Sequence, residues 1–407
     1  MSKKFLIITG IILVLLVIGL AGYYFVFIQN QNTDTVSTTI QKTFNPFGQS
    51  DTTNSTTTDN TNNTTGSTAI SSNQNDYTKK LREIWNQPVS GAGILDEKLG
   101  STVSFVDKAT GFVYKTELFS ANQIRLSNTT IPLAYNAVWD GQNNSFVAQY
   151  LKDDNTVSTN VLSLKSGTTT DQTISGFSLG ENIKSISVYG ENIFYLQTYS
   201  DISKGFISTI DGKTKKQIWQ SPLSELNSQI IDNAVVLTTK PYQNTAGFSY
   251  LINTTTGGIK KIIGNIDGLV TLVSNDASTV LYSSQNDFGV YTFLYNTKTN
   301  KTTNISPVTF PEKCVWSKKD INIVYCAVPE SNLNGDSLIS WYIGNISFRD
   351  DIWKYDLKNN TAVIIDNLTD ESGIKIDVIK PQLSVNEKYL VFINKIDGTL
   401  WSLDLTK

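Results

Sequence analysis

Apolar and polar residues alternate along Asp351–Asn360, DIWKYDLKNN, until an Asp and a Lys-Asn-Asn turn close the segment. A period of two with a polar turn at its end predicts a half-buried strand running into a tight turn. The same unit recurs at Thr399–Lys407, TLWSLDLTK. Aligned on its Asp, weaker copies place Glu117, Lys165, Asp211, Asn253, Asn296, Asp356 and Asp404 at equivalent positions, at intervals of 48, 46, 42, 43, 60 and 48 residues. Asp or Asn suits this position because its short side chain accepts from the backbone two residues on and starts the turn.

Each copy is followed by a second alternating run, such as Lys216–Trp219, Ile259–Ile263 or Ala362–Ile365. Each is preceded by an apolar run, such as Thr279–Tyr282, Asn322–Tyr325 or Tyr389–Ile393. Pro132, Pro222, Pro311 and Pro381 mark exits between units, since proline cannot donate to a ladder. Four strands per unit at a spacing of about 40–50 residues is the period of a propeller blade. The pattern therefore predicts an all-β, ring-shaped β-propeller over 77–407, with seven four-stranded blades and with six or eight left open. The last unit lacks an outer strand, while Arg82-Glu-Ile-Trp-Asn-Gln-Pro88 matches Lys216-Gln-Ile-Trp-Gln-Ser-Pro222. An N-terminal strand that completes the last blade would close the ring and remove its open edge. The competing reading of 76–85 is a short capped helix.

Two further regions precede the repeat. Residues 5–28, FLIITGIILVLLVIGLAGYYFVFI, carry no charge and follow Lys3 and Lys4. At about 1.5 Å per residue they cover about 36 Å, enough to span a bilayer core of about 30 Å. The lysines place the N-terminus in the cytoplasm, so residues 1–28 are expected as a cytoplasmic stub and transmembrane helix, with a cleaved signal peptide as the other reading. Residues 29–76 are dominated by Thr, Asn and Ser, as in TTNSTTTDNTNNTTGST, and are expected as a disordered linker. The propeller is thus expected on the extracytoplasmic side of the cell membrane.

Composition narrows the chemistry. The chain of 407 residues has 33 Lys and Arg against 36 Asp and Glu, a net charge of −3, which offers no basic footprint for nucleic acid. Its 18 Tyr, 18 Phe and 7 Trp fit strands. It has no histidine, which removes histidine triads and histidine-ligated metals. Cys314 and Cys326 flank a hairpin turning near Lys319-Asp320 and are expected either as a disulfide or, with a slip of one residue, as two buried thiols. The insertion Pro329–Arg349 explains the 60-residue interval and carries Trp341, Tyr342 and Arg349 as a candidate partner surface; the other reading packs Trp341 over its own blade. The carboxylate pairs Asp153-Asp154 and Asp350-Asp351 offer acid–base chemistry in principle, and the other reading, solvated turn residues, is the one expected.

The segments Trp316-Ser-Lys-Lys-Asp-Ile-Asn-Ile-Val-Tyr325 and Leu383-Ser-Val-Asn-Glu-Lys-Tyr-Leu-Val-Phe392 resemble the WSPDGKxIAF hairpin of TolB-like and WD40-like propeller repeats. Ile210–Trp219 is similar to the repeat of quinoprotein-type propellers. The Pro-Asp-Gly turn and the closing Trp-Asp pair of those families are absent. The plan as a whole resembles single-pass bacterial surface proteins with a propeller ectodomain, a likeness that implies architecture and no activity. No vicinal cysteine pair, hydrolase domain or repeated Ser-x-Asp-x-Gly-x-Thr-Trp turn is present, so no catalytic residue, cofactor or metal ligand is assigned. The expected function is a binding module for a protein or glycan. An enzyme with a carboxylate or ion site in the channel, or a structural spacer of the envelope, is the alternative. Mass spectrometry with and without reductant tests the cysteine pair: a mass gain on reduction marks the bond, and no change marks two thiols.

Overall fold

The computed structural model describes residues 77–142, 144–164, 173–242 and 245–407. The expected transmembrane helix, the linker and Lys165 lie outside them. Among the described residues no helix is long and apolar enough to cross a membrane.

Alternation at period two produces twenty-eight strands among the described residues, and they pair into seven four-stranded antiparallel sheets. The first strand, β1 (Leu81–Trp85), belongs to the last sheet. Blade 1 is β2 (Val89–Glu97), β3 (Gly100–Asp107), β4 (Val113–Glu117) and β5 (Gln123–Arg125). Blade 2 is β6 (Ala134–Trp139), β7 (Ser145–Leu151), β8 (Val157–Leu164) and β9 (Ile174–Glu181). Blade 3 is β10 (Ile183–Tyr189), β11 (Asn192–Tyr199), β12 (Ile202–Thr209) and β13 (Lys215–Ser221). Blade 4 is β14 (Leu226–Ile231), β15 (Ala234–Thr239), β16 (Ala246–Asn253) and β17 (Ile259–Asp267). Blade 5 is β18 (Val270–Val273), β19 (Thr279–Asn286), β20 (Gly289–Asn296) and β21 (Thr302–Ile305). Blade 6 is β22 (Cys314–Trp316), β23 (Ile323–Pro329), β24 (Asp350–Asp356) and β25 (Thr361–Asn367). Blade 7 is β26 (Val378–Leu383), β27 (Tyr389–Asn394) and β28 (Leu400–Asp404), completed by β1. Two short helices, α1 (Ser337–Tyr342) and α2 (Leu368–Ser372), sit in connections of blade 6 and between blades 6 and 7.

The chain is therefore a seven-bladed propeller. Innermost strands pack on their neighbours round the ring, and β26 returns to β2. Each of the seven junctions between blades holds its own apolar cluster. This is what period two requires of a sheet buried on both faces: each blade gives alternate side chains to the blade before and the blade after. Polar clasps span the same junctions. Ser90 Oγ donates to Ala134 O at 2.7 Å, Gln149 Nε2 to Ile183 O at 3.2 Å, Gln229 Nε2 to Val273 O at 2.7 Å and Gln382 Nε2 to Ala92 O at 2.8 Å. Blades 1 and 2 approach so closely that a Cβ on Gly91 would lie 1.9 Å from Ala137 O, so only glycine fits there.

The anchor positions close the third strands as expected. Asn253, Asn296 and Asp356 each end a third strand and each accept from two backbone N–H groups of the turn that follows, and Asp404 accepts from Thr406 N. Asp211 is offset: β12 ends at Thr209, and Asp211 accepts from Lys213 N inside the turn. Pro132, Pro222 and Pro311 lie between blades, but Pro381 does not. It sits within β26 at the bulge between Ile379 and Gln382, where the ladder is already interrupted and no donor is lost.

The segment 81–85 is a strand, not a helix. It pairs antiparallel with β28, Leu81 opposite Leu403, Arg82 opposite Ser402 and Glu83 opposite Trp401. Leu81 enters the cluster between blades 6 and 7, and Ile84 the cluster between blades 7 and 1. The Arg82 guanidinium donates to the carbonyls of Glu117 and Ser120 in blade 1, at 3.2 and 3.0 Å, and Trp85 Nε1 donates to Asp107 at 2.8 Å. On the other side Lys80 donates to Ile365 O at 2.8 Å. Ile84→Ala is expected to lower unfolding stability by about 3 kcal/mol, through lost burial and the cavity left behind. Leu99→Ala, at an exposed turn, is expected to change it by less than about 0.5 kcal/mol. Urea denaturation of both variants checks the pair.

Candidate functional site

The up-and-down order of each blade sorts its turns between two faces. Turns from first to second strand and from third to fourth lie on one face. Turns from second to third strand and the inter-blade connections lie on the other, which carries the long connections, both helices and the insertion of blade 6.

The insertion is fastened by a buried ion network. Lys313 ends a single 3-10 turn, Asp350 opens β24 and Asp377 precedes β26, so three element boundaries meet at one point. All three side chains are buried. Lys313 Nζ donates to Asp350 Oδ2 at 2.6 Å, to Asp377 Oδ1, and to Val378 O at 3.2 Å, which uses all three of its donors. Asp377 also accepts from Trp341 Nε1 at 2.9 Å and from Phe348 N at 3.0 Å. The Trp341 ring packs against Phe310, centroids 5.4 Å apart, with the ammonium of Lys313 5.0 Å from its centroid. Burial raises the Asp350 carboxyl to about 6, with Lys313 opposing. Every donor of the Lys313 ammonium is satisfied, which fixes the geometry, while Asp350 Oδ1 is buried without a hydrogen-bond partner.

This corrects the reading of Asp350-Asp351 as a solvated turn: both belong to β24, and Asp350 is fully buried. Asp153-Asp154 does form an exposed turn, where Asp154 accepts from Thr156 N at 2.9 Å. Of the candidate partner surface, Trp341 is only 4% exposed, because its indole N–H is drawn in to Asp377. Tyr342 packs edge-on against Trp341, and Arg349 keeps half its side chain in solvent with Glu330 at 3.8 Å. The insertion's exposed apolar residue is instead Ile343. Cys314 and Cys326 are directly opposite in β22 and β23, and the structure joins them as a disulfide.

Next to the network, Glu312 faces the Tyr342 hydroxyl. Burial raises its carboxyl to about 7, while burial and Glu312 together push the tyrosine hydroxyl well above its ordinary value.

Ile343 is one of a series. Blades 2 to 7 each expose a large apolar side chain at the end of the second strand or in the connection that follows it: Leu151, Tyr199, Tyr242, Phe288, Ile343 and Ile396. Phe288 is 88% exposed and Tyr242 70%. Leu133, Leu223 and Ile374 add to the same face from inter-blade connections. Nothing in the alternation marked these residues, because an apolar residue at a turn reads like the end of a buried strand.

The channel opens within this face. Lys380, on the bulge of β26, has a φ of +51°. Its ammonium reaches Asn136 Oδ1 on β6 at 2.8 Å. Blades 7 and 2 are not neighbours, so this bond passes the inner strand of blade 1 and crosses the channel mouth. The lysine keeps accessible surface, yet the surrounding walls displace bulk water, and that enclosure lowers its pKa to about 8, with Lys108 adding to the effect. Among the described residues no group of three or more carboxylates and cysteines is arranged to hold a metal ion.

Glu312 sets a pH dependence. The folded protein keeps a proton on Glu312 up to about 7, which the unfolded chain releases near 4.5. Its contribution to stability is therefore fully present below 4.5 and lost as pH rises towards 7. Asp350 acts in the same direction up to about 6. The melting temperature is expected to fall across this window, and Glu312→Gln to flatten the fall. Thermal melts over the same range check it.

No protein-family model matches the chain, and no curated protein sequence is detectably similar to it. Solved structures do match. Oligogalacturonate lyase from Vibrio parahaemolyticus aligns at a TM-score of 0.53 and 11% identity, covering 81% of this chain and 95% of the lyase. Oligogalacturonate lyase in complex with manganese gives 0.51 and 10%, covering 81% and 92%. Tricorn protease gives 0.50 and 11%, covering 81% of this chain and 34% of the protease. TolB from Acinetobacter baumannii is also similar, at 0.40 and 10%, covering 67% and 62%. At these identities the first three share the propeller fold with this chain, and the likeness extends no further.

Proposed function

We propose that this propeller is a binding module, without catalysis of its own, that docks a protein partner on the face carrying the turns between second and third strands. The reading rests on one observation: six successive blades expose a large apolar side chain where the second strand leads into the third. Aromatic and aliphatic tips around one rim suit a protein surface, where both types bury apolar area. A glycan gains from aromatic stacking but has little use for Leu151, Ile343 and Ile396. Blade 7's outer strand begins at Leu81 opposite Leu403, so the chain joins the ring on the far face. Residues 5–28 would hold the chain in the cell membrane, with the propeller outside the cytoplasm.

Crosslinking of the full-length chain in intact cells tests this. Phe288→Ser with Tyr242→Ser is expected to reduce a protease-sensitive crosslinked product at least about tenfold, the loss of one strong interface anchor. Leu99→Ser with Val385→Ser, on the opposite face, is expected to leave it unchanged. A product that survives the first pair, or that glycosidase rather than protease removes, overturns the proposal.

A further inference from the structure

We propose that β25, the outer strand of blade 6, pairs antiparallel with β25 of a second copy of this chain, joining two rings edge to edge. An outer strand has a neighbour on one side only, so its free edge offers unpaired N–H and C=O groups to another strand. Proteins guard such edges with charges, short strands or irregularities. Here β13 and β17 each carry two lysines, β1 carries Arg82 and Glu83, and β5 carries Arg125. The outer strand β21 is four residues long, and β9 is interrupted by Gly176 and Gly180. β25, Thr361-Ala-Val-Ile-Ile-Asp-Asn367, has no cation. Among the described residues it is the one outer strand with two exposed apolar side chains, Val363 at 52% and Ile364 at 50%. Successive residues of a strand point to opposite faces, so both faces of this edge are apolar. A bulge at Ile365 and the Lys80 ammonium, which takes Ile365 O at 2.8 Å, close its far end, so the free edge is Thr361–Ile364.

The charges at its two ends select a second copy as the occupant. Lys358 is exposed in the turn before β25, and Asp370 and Glu371 are exposed in α2 just after it. Burial, and then Glu330, Asp350, Asp370 and Asp366, raise the Asp351 carboxyl to about 6, which marks this end as crowded with negative charge. Antiparallel pairing centred on Val363 brings Lys358 of each copy beside α2 of the other, so the two-fold axis makes the same attraction twice. Parallel pairing would set like charges against each other at both ends. Val363 and its apolar neighbours then meet across the new ladder. Four residues a side make less than a standard interface, so the dimer is a weak one. Because β25 lies on the outer wall of the ring, pairing leaves the apolar docking face of each copy uncovered.

The test uses the full-length chain in detergent micelles, with sedimentation equilibrium reading the monomer–dimer constant. Ile364→Lys sets like charges across the ladder and is expected to weaken the dimer at least about tenfold. Its melting temperature is expected to hold, because Ile364 is exposed. Ile259→Lys, on the outer strand of blade 4 beside Lys260 and Lys261, is expected to leave the dimer unchanged. Lys358→Glu in one chain, and Asp370→Lys with Glu371→Lys in another, are each expected to weaken self-association about threefold. An equimolar mixture of these two chains is expected to restore it, since each end then meets its opposite. A wild-type chain that stays monomeric up to about 1 mM overturns the proposal. So does a dimer that Ile364→Lys leaves intact, or a pair of charge variants that do not restore each other. A dimer lost instead with Phe288→Ser and Tyr242→Ser belongs to the apolar rim, and overturns this proposal without touching the docking one. Retained melting temperature in each variant separates loss of the contact from loss of the fold.

Discussion

The pairing of β1 with β28 is the constraint on which the rest of the structure depends. A ring of sheets is stable only if every blade has two neighbours, because each blade is apolar on both faces. Five of the seven junctions form between blades built from continuous chain. Blade 7 takes its outer strand from the other end of the domain, and β1 serves junctions on both sides, through Leu81 and Ile84. Arg82 and Trp85 reach on into blade 1. Without β1, blade 7 would present an unpaired edge beside two half-covered apolar faces.

A closed ring leaves its faces free to vary. The face of the second-to-third-strand turns and inter-blade connections carries the insertion, the helices and the apolar tips. The buried network of Lys313, Asp350 and Asp377 belongs to the scaffold, although it lies under the proposed docking face. It converts a 20-residue excursion into a fixed surface, with Trp341 as the pin and Ile343 at the tip. Lys380, three residues after Asp377 and on β26, takes the neutral Asn136 as its acceptor instead.

The fold was legible because its signal is repeated. The Asp or Asn that starts the turn after each third strand recurs often enough to survive exceptions such as Glu117 and the offset at Asp211. Ring closure was legible because β1 repeats the sequence of β13. The site was less legible, for a physical reason in each case. Trp341 lies in a loop rich in polar residues and reads as exposed. Its burial is decided by Asp377, 36 residues further on, which no local pattern reports. Asp350 reads as a turn residue because its partner Lys313 is 37 positions earlier. Lys380 and Pro381 read as a strand boundary, since a bulge has no signature of its own in alternation.

The pairing of β1 with β28 also sets a clock. The strand made first has its partner made last, with roughly 315 residues between them. At a synthesis rate of about 5–20 residues per second, β1 waits on the order of 15–60 s before its partner exists. During that interval no arrangement of the nascent chain can seal blade 7. Folding of the complete ring is therefore an event that follows synthesis.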